Sequence, residues 1–171
     1  MSATAYLTPE TTLTRTRSTK PRASFKEQRI ALQMNVHADR RRIFDALTLP
    51  EYIETWLSLP CAHSDCRTVA SQTDSFYRLD HYAADGLDLS ITGSYRVCRR
   101  GKMFFSWRKS RACDGSALLP ESSVMIRLYG DFSRSTLCFS HAGYFSNDEY
   151  YWHSELWKRS LKKLQQLFPT H

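Results

Sequence analysis

The sequence predicts an α+β fold in which a curved antiparallel sheet wraps around one long C-terminal helix, with two short helices after the first strand. Three observations carry this. Ser146 to Phe168 places Tyr150, His153, Trp157, Leu161, Leu164 and Phe168 at spacings of three and four, one face of a helix. The stretch before it breaks into short runs that alternate apolar and polar residues, as half-buried strands do. Between these runs and an earlier strand lie two short helical segments. A helix over 146–168 would be roughly 33 Å long at 1.5 Å per residue. Its apolar stripe needs a broad cover, and a sheet is the cover this sequence offers.

Taken in order, Glu27–Val36 is the first strand, with Ile30, Leu32, Met34 and Val36 on one face. Asp39 starts a helix over Arg40–Thr48, with Ile43, Phe44 and Leu47 turned inward. Pro50 opens a second over Glu51–Leu57, at a position where proline is tolerated. Pro60–Ser71 shows no periodicity and reads as a loop. Residues 74–83 read as a strand, and Gly86 turns the chain. Leu87, Leu89, Ile91, Gly93, Tyr95 and Val97 then alternate with polar neighbours. Arg99–Lys102 forms a hairpin turn, and Met103–Lys109 returns with Met103, Phe105 and Trp107 on one face. After a loop over Arg111–Pro120, Ser122–Tyr129 and Ser135–His141 pair around Gly130–Arg134. Ala142–Phe145 leads into the last helix. There Ser146 and Glu149 stand at the spacing of a reciprocal capping box. Asp148 and Glu149 oppose the helix dipole, and Lys158, Arg159, Lys162 and Lys163 crowd its later turns.

The 171 residues suffice for one domain with a real core, placed over 27–171. Residues 1–26 hold Arg15, Arg17, Lys20, Arg22 and Lys26 against Glu10, more than half of the net charge of +7. This Thr-, Ser- and Pro-rich stretch reads as a disordered basic tail. Such a tail can touch acidic surfaces, but a solvated tail is the simpler reading, and nucleic acid is not expected as a partner. There is no membrane-length apolar run and no apolar centre of a secretory signal. Five cysteines without tight pairing suit a reducing compartment, so a cytoplasmic location is expected.

Three stretches carry a resemblance to a known family. The first is Ile43-Phe44-Asp45-Ala46-Leu47-Thr48-Leu49-Pro50-Glu51-Tyr52 followed by Trp56. The second is Gly86, Ile91-Thr92-Gly93-Ser94-Tyr95 and Phe104-Phe105-Ser106-Trp107. The third is Ser135-Thr136-Leu137 and Ser140-His141-Ala142-Gly143-Tyr144-Phe145, then His153, Trp157, Leu161 and Leu164. In this order and spacing they resemble the START-like (SRPBCC) superfamily, also called helix-grip or birch-pollen-allergen-like. Within it, the chain is most similar to the branch related to the activator of the heat-shock chaperone ATPase. The resemblance implies a cavity between sheet and C-terminal helix, closed at one end by the two short helices. Members bind lipids, sterols or polyketides, act as enzymes, or assist the chaperone. The branch has no fixed catalytic residue to carry over. The sequence shows no second domain upstream of the kind that eukaryotic chaperone activators use to grip their partner.

The residues expected to line the cavity are Trp56, Leu89, Ile91, Tyr95, Phe105, Trp107, Phe139, His141, His153 and Trp157. Most are apolar and a few carry a polar tip, which suits a small apolar or aromatic ligand with one or two polar groups. For any single residue ordinary core is the simpler reading, while the set together points to a cavity. His141 or His153 could serve as a general acid or base, or satisfy a structural hydrogen bond. Binding is favoured over catalysis. A cyclase- or hydrolase-like enzyme, with His141 or Tyr95 moving a proton, stays open beside it, as does a chaperone partner. No catalytic residue, metal or cofactor is assigned. Cys61-Ala62-His63-Ser64-Asp65-Cys66 offers metal-ligand types without the paired spacing that zinc uses. Cys138 and His141 fall on opposite strand faces and form no nucleophilic pair. Arg40-Arg41-Arg42 sits against the helix dipole and reads as a solvated face or a site for an acidic partner.

Overall fold

A computed structural model describes residues 26–59, 66–111, 120–131 and 133–169. The basic stretch 1–25, residues 61–65 of the cysteine loop and residues 112–119 lie outside the described residues. The elements are β1 (Lys26–Val36), α1 (Arg40–Thr48), α2 (Pro50–Trp56), β2 (Arg67–Thr73), β3 (Phe76–Ala83), β4 (Gly86–Arg99), β5 (Lys102–Arg111), β6 (Ser122–Gly130), β7 (Ser135–Phe145) and α3 (Asn147–Gln166). The strands form a seven-stranded sheet in the order β1-β7-β6-β5-β4-β3-β2, every described pair antiparallel. Strands β2 to β7 are a meander, and β1 adds at its far edge beside β7. The two short helices therefore carry the chain from one edge of the sheet to the other. This is the helix-grip α+β architecture.

Local chemistry explains the breaks. The Asp39 carboxylate accepts from the N–H groups of Arg41 and Arg42 at 2.8 and 2.9 Å and starts α1. Leu49 is extended because a residue before proline is pushed out of the helical region, and Pro50 then opens α2. The Trp56 indole donates to the Ala46 carbonyl at 2.7 Å and locks the two helices together. The Ser58 N–H donates to Ser160 Oγ at 2.9 Å, tying the end of α2 to α3.

Two elements differ from the sequence reading. Part of the expected Pro60–Ser71 loop is a strand, β2. Its inward residues are only Thr68 and Ala70, while Val69 faces solvent, so no apolar alternation marks it. Strand β7 runs on through Ala142–Phe145 because these residues still pair with Lys26–Arg29 of β1.

The core lies between the inner sheet face and α3. Ile91, Met103, Val124, Leu137, Leu156, Trp157 and Leu164 are fully buried there. Tyr77, Tyr95 and Phe105 form an aromatic trio with ring centroids 5.4 to 5.7 Å apart. Gly93 lies beneath it, with the Tyr77 hydroxyl donating across to the Ser106 carbonyl. A Cβ at Gly93 would run into that carbonyl and stand 2.6 Å from the Tyr77 hydroxyl oxygen. Gly93→Ala is therefore expected to destabilise the fold by about 2 kcal/mol, the usual cost of overpacking. Urea unfolding followed by tryptophan fluorescence measures this; an unchanged midpoint would refute the close approach.

Candidate functional site

Parity along the strands places the site. Trp107 and Lys109 of β5, Val124 of β6, and Phe139 and His141 of β7 all face α3. Spacings of four and eight bring Glu149, His153 and Trp157 of α3 down onto them. Indole N–H groups can only donate, so each imidazole nitrogen facing one must accept. Trp157 Nε1 donates to His141 Nδ1 at 2.9 Å, and Trp107 Nε1 donates to His153 Nε2 at 3.2 Å. The remaining ring nitrogens carry the protons. His141 Nε2–H donates to Ser122 Oγ at 2.7 Å, and the Ser122 hydroxyl in turn donates to the Trp107 carbonyl at 3.0 Å. His153 Nδ1–H donates to the Glu149 carbonyl at 2.7 Å. Both imidazoles are thus neutral, and all their hydrogen-bonding atoms are used.

Burial pushes the His141 pKa well below its ordinary value, and the neighbouring His153 lowers it further. Burial, aided by the Lys109 ammonium, takes His153 down to about 4 against the raising effect of its bond to Glu149.

Next to the histidines sits a buried charge pair. Lys109 is 2% exposed, and its ammonium lies 2.7 Å from Glu149 Oε1 and 4.1 Å above the Trp152 ring. The expected capping box is therefore only half formed. Ser146 Oγ accepts from the Glu149 N–H at 3.2 Å, but the Glu149 carboxylate turns to Lys109 instead of the Ser146 N–H. Its Oε2 is buried without a hydrogen-bond partner, 3.7 Å from His153 Nδ1. His81 Nε2 on β3 is likewise buried and unpartnered, while its Nδ1 lies 3.4 Å from Thr68 Oγ1. The register relates the two: Lys109 pairs with Ile91, and two residues along β4 Leu89 pairs with His81. They occupy neighbouring rows of the inner face. A void of about 10 Å³ remains beside Lys109, Glu149, His153, Ser122 and Trp107. That is about the least space a single water needs.

The structure gathers five of the expected lining residues in one cluster. Phe139 and Trp107 lie 4.4 and 4.9 Å from Trp157, centroid to centroid, and His141 lies 4.8 Å from His153. Tyr95 and Phe105 belong to the separate trio over Gly93, and Leu89 and Ile91 line the adjacent strand. Trp56 is turned toward α1. Sequence reasoning missed Lys109, Ser122, Glu149, Trp152 and His81. Parity did signal Lys109, which continues the inward series 103, 105, 107. Cys66 is disulfide-bonded, while Cys98 and Cys138 are free thiols. Among the described residues, no group of three or more His, Cys, Asp and Glu is placed to hold a metal ion. No helix among them is long and apolar enough to cross a membrane.

Residues 37–169 match the family model described as activator of Hsp90 ATPase homolog 1-like protein. The chain belongs to this family. Membership fits ligand-binding or chaperone-related work without naming a ligand or an activity. No curated protein matches the chain by sequence. Solved structures with the same fold include a Chromobacterium violaceum protein, 18% identical, covering 84% of this chain and 99% of its own with a TM-score of 0.65. Another is the AHSA1 protein from Silicibacter pomeroyi, at 17% identity, 82% and 96% coverage and a TM-score of 0.66. A third is the Aha1 dimer from Colwellia psychrerythraea, at 13% identity, 82% and 96% coverage and a TM-score of 0.56.

The neutral histidines give this Hsp90-activator-like chain a defined acid response. In the unfolded chain they bind protons near pH 6.5, whereas in the fold they resist until well below that. The unfolded state therefore holds more protons between about pH 6.5 and 4, and stability falls as pH drops through that window. For His153 the loss is on the order of 3 kcal/mol across the window. Urea unfolding at pH 7 and pH 5 should show a large loss in the wild type and a smaller one in His153→Gln. Equal losses in the two proteins would contradict a neutral buried His153.

Proposed function

We propose that the chain is a small-molecule binding module whose ligand sits against the inner sheet face where β3, β4 and β5 meet the first turns of α3. The observation that supports this best is the pair of buried polar atoms without partners, Glu149 Oε2 and His81 Nε2. An unpaired buried polar group costs about 1–3 kcal/mol, so each is an incentive for a ligand group to take its place. The carboxylate oxygen calls for an N–H or O–H donor. The surroundings, Leu89, Ile91, Trp107 and Trp152, call for an apolar or aromatic body. Burial of that body would supply ~25 cal/mol per Å² before ordering costs.

The enzyme reading fits less well. Both nitrogens of His141 are engaged with Trp157 and Ser122, and burial raises the Tyr95 pKa, so neither is poised to move a proton near neutrality. A chaperone-related role remains compatible with the family but has no residue of its own in this site.

Native mass spectrometry of the freshly purified full chain is expected to retain an organic molecule bearing at least one N–H or O–H group. Glu149→Gln and His81→Phe should each lower its occupancy, and quenching of Trp152 on rebinding should vanish in Trp152→Phe. A ligand-free spectrum together with unaltered tryptophan emission on titration with hydrophobic amines and alcohols would remove this reading.

A further inference from the structure

The other end of the strands carries a different chemistry. There the start of α1, the β4–β5 hairpin tip and the β6–β7 turn come together around a recess of about 400 Å³, lined by Arg40, Arg41, Arg100, Asp39 and Asp131. Further cations stand at the same strand ends. Arg99 and Lys102 flank the hairpin tip, Arg127 pairs with Lys102 across β5 and β6, and Arg134 closes the β6–β7 turn. Within the described residues, neither Arg40, Arg100 nor any of these neighbouring cations forms an ion pair. Arg41 reaches only an exposed Asp45 at 4.0 Å.

The two carboxylates in the recess offset part of this charge, and their oxygens are engaged by the backbone. Asp39 accepts from the Arg41 and Arg42 N–H groups, and Asp131 from the Ser133 and Arg134 N–H groups. Backbone bonds from Ser133 and Arg134 hold the Asp131 carboxyl below its ordinary range. Both carboxylates are held by backbone N–H groups, and among the described residues neither forms an ion pair with Arg40 or Arg100. Three guanidinium groups outnumber the two carboxylates lining the recess, and an anionic partner would relieve their remaining mutual repulsion.

We propose that this recess docks an acidic segment of a partner protein. Guanidinium forks match carboxylates two bonds at a time, which a set of separate arginines around a pocket favours. A nucleic-acid backbone fits less well. Its continuous row of phosphates would have to pass over Asp39 and Asp131, whereas discrete Glu or Asp side chains can address Arg40, Arg41 and Arg100 and step around them. The recess is also side-chain sized, and it is independent of the interior site proposed above.

The test is fluorescence anisotropy of a labelled oligoglutamate peptide titrated with the full chain, with an oligothymidylate of equal charge run in parallel. Arg40→Glu, Arg41→Glu and Arg100→Glu combined should weaken peptide binding by about tenfold or more. Arg159→Glu, Lys162→Glu and Lys163→Glu combined change the net charge equally on the exposed face of α3 and should leave binding within about twofold. The basic stretch 1–25 is common to all variants, so its background cancels. Circular dichroism confirms that each exposed variant is folded. Equal weakening in the two triple variants would reduce the effect to overall charge and overturn the proposal. Tighter recess-dependent binding of the oligothymidylate would assign the site to nucleic acid and overturn it as well.

Discussion

The fold depends on how α3 is fixed to the sheet. Hydrophobic burial drives the helix onto the inner face but has no direction, and alone it would tolerate a slide or a roll. Two indole-to-imidazole bonds remove that freedom. Trp157 on the helix donates to His141 on the sheet, and Trp107 on the sheet donates to His153 on the helix. The two bonds hold the layers together at points one helical turn apart, so a slide or roll of the helix strains both. Each lost bond would leave a buried polar atom unpaired, at about 1–3 kcal/mol apiece. The helix therefore has one register, and Ser122 and the two carbonyl acceptors extend the restraint into β6, β5 and the first turn of α3.

This divides the inner face into a finished and an unfinished half. Around His141 every donor and acceptor is consumed, rings pack at ordinary contact, and the site is closed to proton traffic. One row on, the same helix turn presents Glu149 with one oxygen satisfied and one bare, and β3 presents His81 in the same state. Folding alone does not select for such loose ends in a core whose neighbours are so completely paired. Glu149 Oε2 lies 3.7 Å from the fully engaged His153, and that contrast, not the general shape of the fold, is what supports the ligand reading.

Much of the architecture was legible in the sequence because its signals are periodic. The α3 stripe, the alternation of Leu89 to Val97 and the proline at the head of α2 each map onto one element. β2 was illegible because an edge strand with Thr68 and Ala70 inward has no apolar rhythm to read. The site was half legible. Parity and helical spacing found Trp107, His141, His153 and Trp157, yet whether such residues line a space or fill one depends on distances that no periodicity encodes. The local spacing marks Glu149 as a capping residue, and a long-range partner, Lys109, draws its carboxylate away. Local patterns specify which face a side chain takes; which distant group meets it is a property of the sheet register.

The same logic applies to the arginines of α1. A cation in the first turn of a helix opposes the dipole by roughly 0.3–1 kcal/mol, and here Arg40, Arg41 and Arg42 are consecutive with no acid among them. Asp39 makes the helix possible by capping it, but it does not offset three positive charges. Solvent screening keeps the cost tolerable, and screening would act equally on any three exposed cations. It does not account for Arg100 arriving at the same recess from a hairpin tip that is remote in sequence. A single element can break a local electrostatic rule by accident; a second element bringing another unpaired guanidinium, Arg100, to the same recess supports the reading of a surface suited to negative charge.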